Sequence, residues 1–180
     1  LPAKTLATRC YYGMFADCYY LVDVPELPAT NLAEACYGYM FRGCTSLTDA
    51  PVLPATVMAT SCYTMMFKDC YALVEAPELP ATTLEDDCYS SMFSDCSHLE
   101  KAPALPAEVL STFCYEEMFA RCKRLTTAPE LPAKELKSSC YQNMFNGCTN
   151  LNYIKVGVMS LDNDDEATLD WVKGIDGEGV

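Results

Sequence analysis

The sequence is short of the residues on which catalysis and metal binding most often depend. It has one histidine and one tryptophan in 180 residues, and 12 Lys and Arg against 25 Asp and Glu, for a formal net charge of −13. A lone His98 cannot be built with any specificity into a Ser-His-Asp or Cys-His set. The adjacent acids Glu116 and Glu117 would point to different faces of a helix, and nothing marks a cleft between them. Basic residues form one cluster, Arg121, Lys123 and Arg124, so neither nucleic acid nor anionic lipid is expected as a partner. No run of 18 apolar residues occurs, so no membrane insertion through a spanning helix is expected, while 51% hydrophobic residues suffice for one domain with a sizeable core. The chain opens inside its own pattern at Leu1, which leaves room for a signal peptide or further repeats upstream.

What the chain has in quantity is cysteine, and all 12 cysteines obey one period. "CYTMMFKDCYALVEAPELPA" from Cys62 returns as "CYSSMFSDCSHLEKAPALPA" from Cys88 and "CYEEMFARCKRLTTAPELPA" from Cys114. The first cysteines are 10, 36, 62, 88, 114 and 140; the second are 18, 44, 70, 96, 122 and 148. The unit is L-P-A-x-x-L-x-x-x-C-Y-x-x-M-F-x-x-C-x-x-L-x-x-A-P-x, 26 residues long. Six copies occupy 1–26, 27–52, 53–78, 79–104, 105–130 and 131–156, and residues 157–180 form a C-terminal cap.

Within a repeat, Leu84, Cys88 and Met92, with Tyr89 and Phe93 offset by one, recur at four-residue spacing and predict a helix of about three turns. Thr82 and Glu85 have the spacing of a capping box, and Asp95, in a slot held by Gly43 and Gly147 elsewhere, suits a left-handed residue ending that helix. Leu99 to Ala102, cut off by Pro103, predicts a short strand. A strand and a helix per unit, repeated six times, predict an α/β repeat solenoid in which each unit buries its apolar face on the next. Strands about 4.8 Å apart and helices about 8 to 10 Å apart would bend it into a horseshoe with a strand-lined concave face.

The motifs CxxLxxAP and LPAxxLxxxCYxxMFxxC resemble the BspA-like, or Treponema-type, leucine-rich repeats of bacterial surface proteins, over residues 1 to about 156. The unit here has Ala where Ile is usual in the strand and Met-Phe where Ala-Phe is usual. The resemblance implies a leucine-rich-repeat horseshoe and a noncatalytic module for adhesion to a protein or glycan, without a cofactor. It also implies a place outside the cell or on a bacterial cell surface.

Zinc sites favour closely spaced Cys or Cys/His groups, whereas seven residues separate the cysteines here. Bridges within a helical repeat, or between first cysteines of packed helices, exceed the roughly 7 Å limit; the second cysteines could approach within about 5 Å, so a few bridges there remain open on distance alone. The reading adopted is a repeated small core residue, giving twelve unbridged, mostly buried thiols. The Met-Phe pairs, the slot of Leu6, Leu32, Met58, Leu84, Leu110 and Leu136, and the repeated tyrosines are core by period, each tyrosine hydroxyl keeping a partner. In the cap, Asn163 followed by Asp164, Asp165 and Glu166 suits a helix N-terminus, with Leu169, Trp171 and Val172 docking on the last repeat. A calcium loop on Asp162, Asp164 and Glu166 would want Gly at 167 and Glu at 173, where the chain has Ala167 and Lys173, so no metal is expected.

Two sets of residues are left over as candidate binding sites. Asp23, Asp49 and Glu75, with Glu26 and Glu78, would align as an acidic stripe along the N-terminal half. Tyr12, Tyr19, Tyr20, Tyr39 and Tyr71 fall outside the repeated tyrosine slot and stand where later repeats carry Ser, Glu, Lys, Gln or Thr, with Met65 able to extend them. Tyrosines placed where polar residues are tolerated should be exposed, and exposed tyrosines are characteristic of binding surfaces. A noncatalytic binding module is therefore the leading expectation, and a structural spacer or stalk of a larger surface assembly or virion the alternative.

Overall fold

An α-helix advances about 100° per residue, so side chains spaced strictly four apart drift around it by about 40° per turn. A chain whose conformation itself repeats every four residues has no such drift, and this is what the protein forms. The computed structural model describes residues 1–158 and 166–175; among them there is no α-helix, and sheet pairing is reduced to five isolated parallel pairs. The expected strand-and-helix leucine-rich repeat is thus overturned, although the 26-residue period stands. The Thr82/Glu85 capping box has no helix to cap, and the strand foreseen at Leu99 to Ala102 shrinks to the pair Glu75 and Lys101.

In place of each helix runs a ribbon of overlapping β-turns. In the first 26-residue coil the amides of Cys10, Tyr12, Met14, Ala16 and Cys18 donate to the carbonyls of Ala7, Arg9, Tyr11, Gly13 and Phe15, each three residues back, at 3.0–3.2 Å. Arg9, Gly13 and Asp17 have φ of 55°, 61° and 58°, each as the third residue of a turn, the mark of type II. The turns between them have Cys10-Tyr11 and Met14-Phe15 at their centres, with no left-handed residue. The chain therefore points two residues inward and the next two outward, which is the in-in-out-out pattern of C-Y-x-x-M-F-x-x-C. Asp95 is left-handed (φ 65°) as its slot foretold, but so are two further slots of every repeat.

The remaining amides bond along the stack. Arg9, Tyr11, Gly13, Phe15 and Asp17 donate to the carbonyls of Glu34, Cys36, Gly38, Met40 and Arg42 in the next coil at 2.7–3.0 Å, and five such bonds recur at every junction between successive repeats. Alternate amides thus close turns and alternate amides tie coils together, so the ribbon's buried backbone is satisfied without a helix. This is what holds sixteen non-glycine residues, among those described, at positive φ, including Tyr39, Met65 and Phe113, a conformation that costs about 1–2 kcal/mol apiece.

Identical side chains then form columns. The phenylalanine rings from Phe15 to Phe145 stack at 5.6–5.7 Å between centroids, and the tyrosines from Tyr11 to Tyr141 at 5.8–6.0 Å, all within 9° of parallel. That spacing is close to the strand repeat and far below the 8 to 10 Å of packed helices, so the mismatch expected to bend a horseshoe is absent. The repeated tyrosines are core as expected, but the buried hydroxyl of Tyr37 has no partner among the described residues, and that of Tyr89 reaches only Met58 Sδ at 3.7 Å. All 11 prolines occupy the second and twenty-fifth slots, where the chain turns the corner between coils and no ladder amide is needed.

The cap is a seventh, degenerate coil. Tyr141, Asn143, Phe145 and Gly147 donate to the carbonyls of Ala167, Leu169, Trp171 and Lys173 at 2.7–2.8 Å, and Asp170 and Gly174 have the positive φ of the ribbon. Ala167, fully buried, takes the cysteine slot, and Trp171 stacks on Tyr141 at 6.4 Å. Leu169, Trp171 and Val172 thus belong to a turn ribbon and not to a docked helix; the helix N-terminus foreseen at Asn163 to Asp165 lies outside the described residues.

Removing one ring from the middle of a column opens a cavity sealed on both sides. Phe93→Ala should therefore cost about 3–5 kcal/mol in chemical denaturation. Phe15→Ala, at the end coil where the ring has a single stacking neighbour and is only part-buried, should cost less than half as much; equal losses would refute the column account.

Candidate functional site

The thiols are the most numerous reactive groups, and the fold makes most of them inert. All twelve are unbridged; Cys10 and Cys18, in the first coil, are exposed and the other ten are buried. From the second coil onward the second cysteine has a defined task. Cys44, Cys70, Cys96, Cys122 and Cys148 donate Sγ–H at 3.0–3.2 Å to the carbonyl of the phenylalanine one coil earlier and three slots back. Burial drives the thiols of Cys36 and Cys44 up to about 11 and those of Cys62, Cys114 and Cys148 up to about 12; Cys70, Cys88, Cys96 and Cys122 also rise, first through burial. Among the described residues no group of three or more His, Cys, Asp or Glu is placed to hold a metal ion, and no helix is long and apolar enough to cross a membrane. Of the acids considered for calcium, Asp162 and Asp164 lie outside the described residues and Glu166 is exposed. His98 is exposed, its Nδ1 2.7 Å from the Tyr71 carbonyl oxygen.

The five acids of the expected stripe are on the surface. Asp23, Glu26, Asp49, Glu75 and Glu78 are exposed, and Glu75 lies 3.8 Å from Lys101, a solvated pair of small energetic value. Glu26 also borders a shallow hollow of about 300 Å³ walled by Pro25, Pro28, Pro51 and Pro54 with Val24 and Val52. These acids follow one another along the exposed surface of the stack.

The tyrosines are arranged with more purpose. Tyr20 is 92% exposed and Tyr19 54%; Tyr12 and Tyr71 are also exposed, and Tyr39 is half-buried. Tyr19 sits on a fixed backbone, its carbonyl accepting from the Ser46 amide at 3.1 Å and the Thr45 hydroxyl at 3.3 Å. Tyr71 Oη lies 3.5 Å from Asp69, whose charge raises the phenol's pKa. Tyr12 and Tyr39 come together, with ring centroids 5.0 Å apart and planes tilted by 40°. Burial and then Tyr12 raise the pKa of Tyr39. Arg9 lies over the Tyr12 ring at 5.7 Å, and Arg42 over the Tyr39 ring at 5.9 Å. Asp69 stands 3.7 Å from Arg42.

The two arginines and Gly38 were not singled out in the sequence. Gly38 occupies a slot held elsewhere by Tyr12, Thr64, Ser90, Glu116 and Gln142, and a Cβ there would come within 3.1 Å of the Tyr12 ring. The signal was one glycine in an otherwise side-chain-bearing column; it means that Tyr12 lies across the space that glycine leaves. Met65 follows Tyr39 in the left-handed column and is half-buried. No family model, no curated protein and no solved structure matches the chain.

Two outcomes follow from this geometry. A thiol whose pKa is raised on folding stays protonated in the native state after the unfolded chain has begun to ionise near pH 9, so stability is intact below that pH and falls as pH rises through about 11–12. Alkaline denaturation should therefore be steep, releasing several protons per molecule, and neutral-pH alkylation should modify Cys10 and Cys18 while sparing the buried ten; rapid labelling of all twelve in the native protein would contradict the structure. Separately, Gly38→Gln should push the Tyr12 ring off Tyr39, abolishing ring-to-ring NOE contacts between them with little change in melting temperature. Persistence of those contacts would show that Gly38 is not the seat of the ring.

Proposed function

We propose that the chain is a noncatalytic binding module that presents its first three coils to a protein or glycan partner. The observation that carries this reading is the segregation of exposed aromatic groups: Tyr12, Tyr19, Tyr20, Tyr39 and Tyr71 all lie in residues 1–78, in slots where later coils carry polar side chains. A rigid stack supports such a role, because rings held on a hydrogen-bonded ribbon lose little freedom when a partner covers them. The Arg9–Tyr12–Tyr39–Arg42 cluster adds two guanidinium groups over ring faces, suited to carboxylate or sulfate groups as well as to stacking on a sugar. Display outside the cell or on a bacterial surface is part of the proposal and is supported by the repeat signature alone. A spacer or stalk is the second reading, favoured by the uniformity of the phenylalanine and tyrosine columns along the repeats.

A screen of the purified protein against extracellular-matrix proteins and glycans would supply the partner. Replacing Tyr19, Tyr20 and Tyr71 together by Ser should then leave the melting temperature nearly unchanged and weaken binding at least tenfold, about 1.4 kcal/mol. Unchanged affinity for the partner found would reject the patch, and a large loss of stability would show the rings to be core.

A further inference from the structure

From one repeat to the next the chain passes through a Pro-x-Leu-Pro run, whose leucine is buried and whose prolines turn the corner on the side of the stack. Between neighbouring corners these rings wall hollows. One, of about 300 Å³, lies between Pro25, Pro28, Pro51 and Pro54, and a second, of about 410 Å³, between Pro103, Pro106, Pro129 and Pro132. The two are built from the same eight slots of the unit, three coils apart, and each has one glutamate among its walls, Glu26 in the first and Glu130 in the second.

The proline walls are alike and the rims are not. The slot just before the walls holds Asp23 and Asp49 at the first hollow and Lys101 and Thr127 at the second, all exposed. Glu130 is already matched, since Lys155 Nζ donates to its Oε1 at 2.8 Å. The slot that supplies this lysine, one coil further on, is filled by Pro51 in the case of Glu26. The chain's own ammonium group thus shows what a carboxylate at this position accepts, and no lysine or arginine stands among the walls of the first hollow. Val52, another of its walls, is 78% exposed, so an aliphatic side chain is left in water beside the carboxylates.

We infer that the first hollow is a docking site for a basic segment of a partner protein, in which an aromatic side chain seats against the proline rings and flanking Lys or Arg side chains meet Asp23, Glu26 and Asp49. Apolar walls supply the area for the ring, and a few carboxylates converging on them fix its orientation. The local excess of acid speeds the encounter with a cationic segment, whereas Lys101 and Lys155 at the second hollow oppose it. None of these groups belongs to the tyrosine patch, so the site stands or falls independently of it.

Titration of the isotope-labelled intact protein with the peptide acetyl-Lys-Lys-Phe-Lys-Lys-amide, followed by amide NMR, tests the site. The resonances of Val24, Glu26, Leu27 and Val52 should move together and saturate, while those of Ala104, Leu105 and Glu130 stay in place. The same peptide with Ala for Phe, or with Glu for every Lys, should bind about tenfold more weakly or less tightly still. Glu26→Lys and Val52→Ser, both at exposed positions, should each lower affinity for the Phe peptide severalfold, and so should about 1 M salt, where screening acts within about 3 Å. Absence of any saturable shift up to millimolar peptide overturns the inference. Equal affinity of the Phe and Ala peptides, an equal response of the two hollows, or shifts centred elsewhere on the chain overturn it as well.

Discussion

The alternation of peptide groups along the turn ribbon is the constraint on which everything else rests. Each amide that does not close a turn crosses to the next coil, so local structure and stacking share one hydrogen-bonded network. A helix would satisfy its own amides and leave packing to side chains. Here a coil in isolation would leave half of its ribbon amides unpaired, and no single repeat can be expected to fold alone. The same dependence explains how ordinary residues such as Phe113 and Arg121 hold left-handed conformations, since neighbours above and below determine the backbone there.

Close coil spacing in turn dictates the composition of the interior. With rings under 6 Å apart at most junctions, each slot must be filled by a side chain that stacks on a copy of itself. Planar Phe and Tyr meet that demand, and Met fills the slot between them. Cysteine is small enough for the turn corners and has a weak donor that reaches the carbonyl of a phenylalanine one coil away, which a purely apolar residue of that size would leave with its turn amide alone. The raised thiol pKa values follow from the same burial and keep these groups protonated near neutral pH.

Against so repetitive an interior, the departures from the pattern stand out. Gly38 exchanges a side chain for the ring of Tyr12, and Arg9 and Arg42 place cations over two rings in a chain of strongly negative charge. The acids of the stripe lie on the exposed surface, and Glu75 is matched by Lys101.

The period, the copy boundaries from Leu1 to Leu131, and the buried identity of Phe93, Cys96 and Leu99 could all be read from the sequence, because repetition of an apolar residue in a fixed slot reports burial whatever the backbone does. The exposure of Tyr19 and Tyr20 was legible for the converse reason, that sister slots hold polar residues. The backbone was not legible. Four-residue spacing is shared by a helix face and by a ribbon of turns, and no local propensity of Tyr39 or Phe113 announces a left-handed residue. What chose between them was the bond from each coil to the next. That bond exists only when coils are stacked, so tertiary structure alone decided the ribbon, the seventh coil and the meeting of Tyr12 with Tyr39 across two repeats.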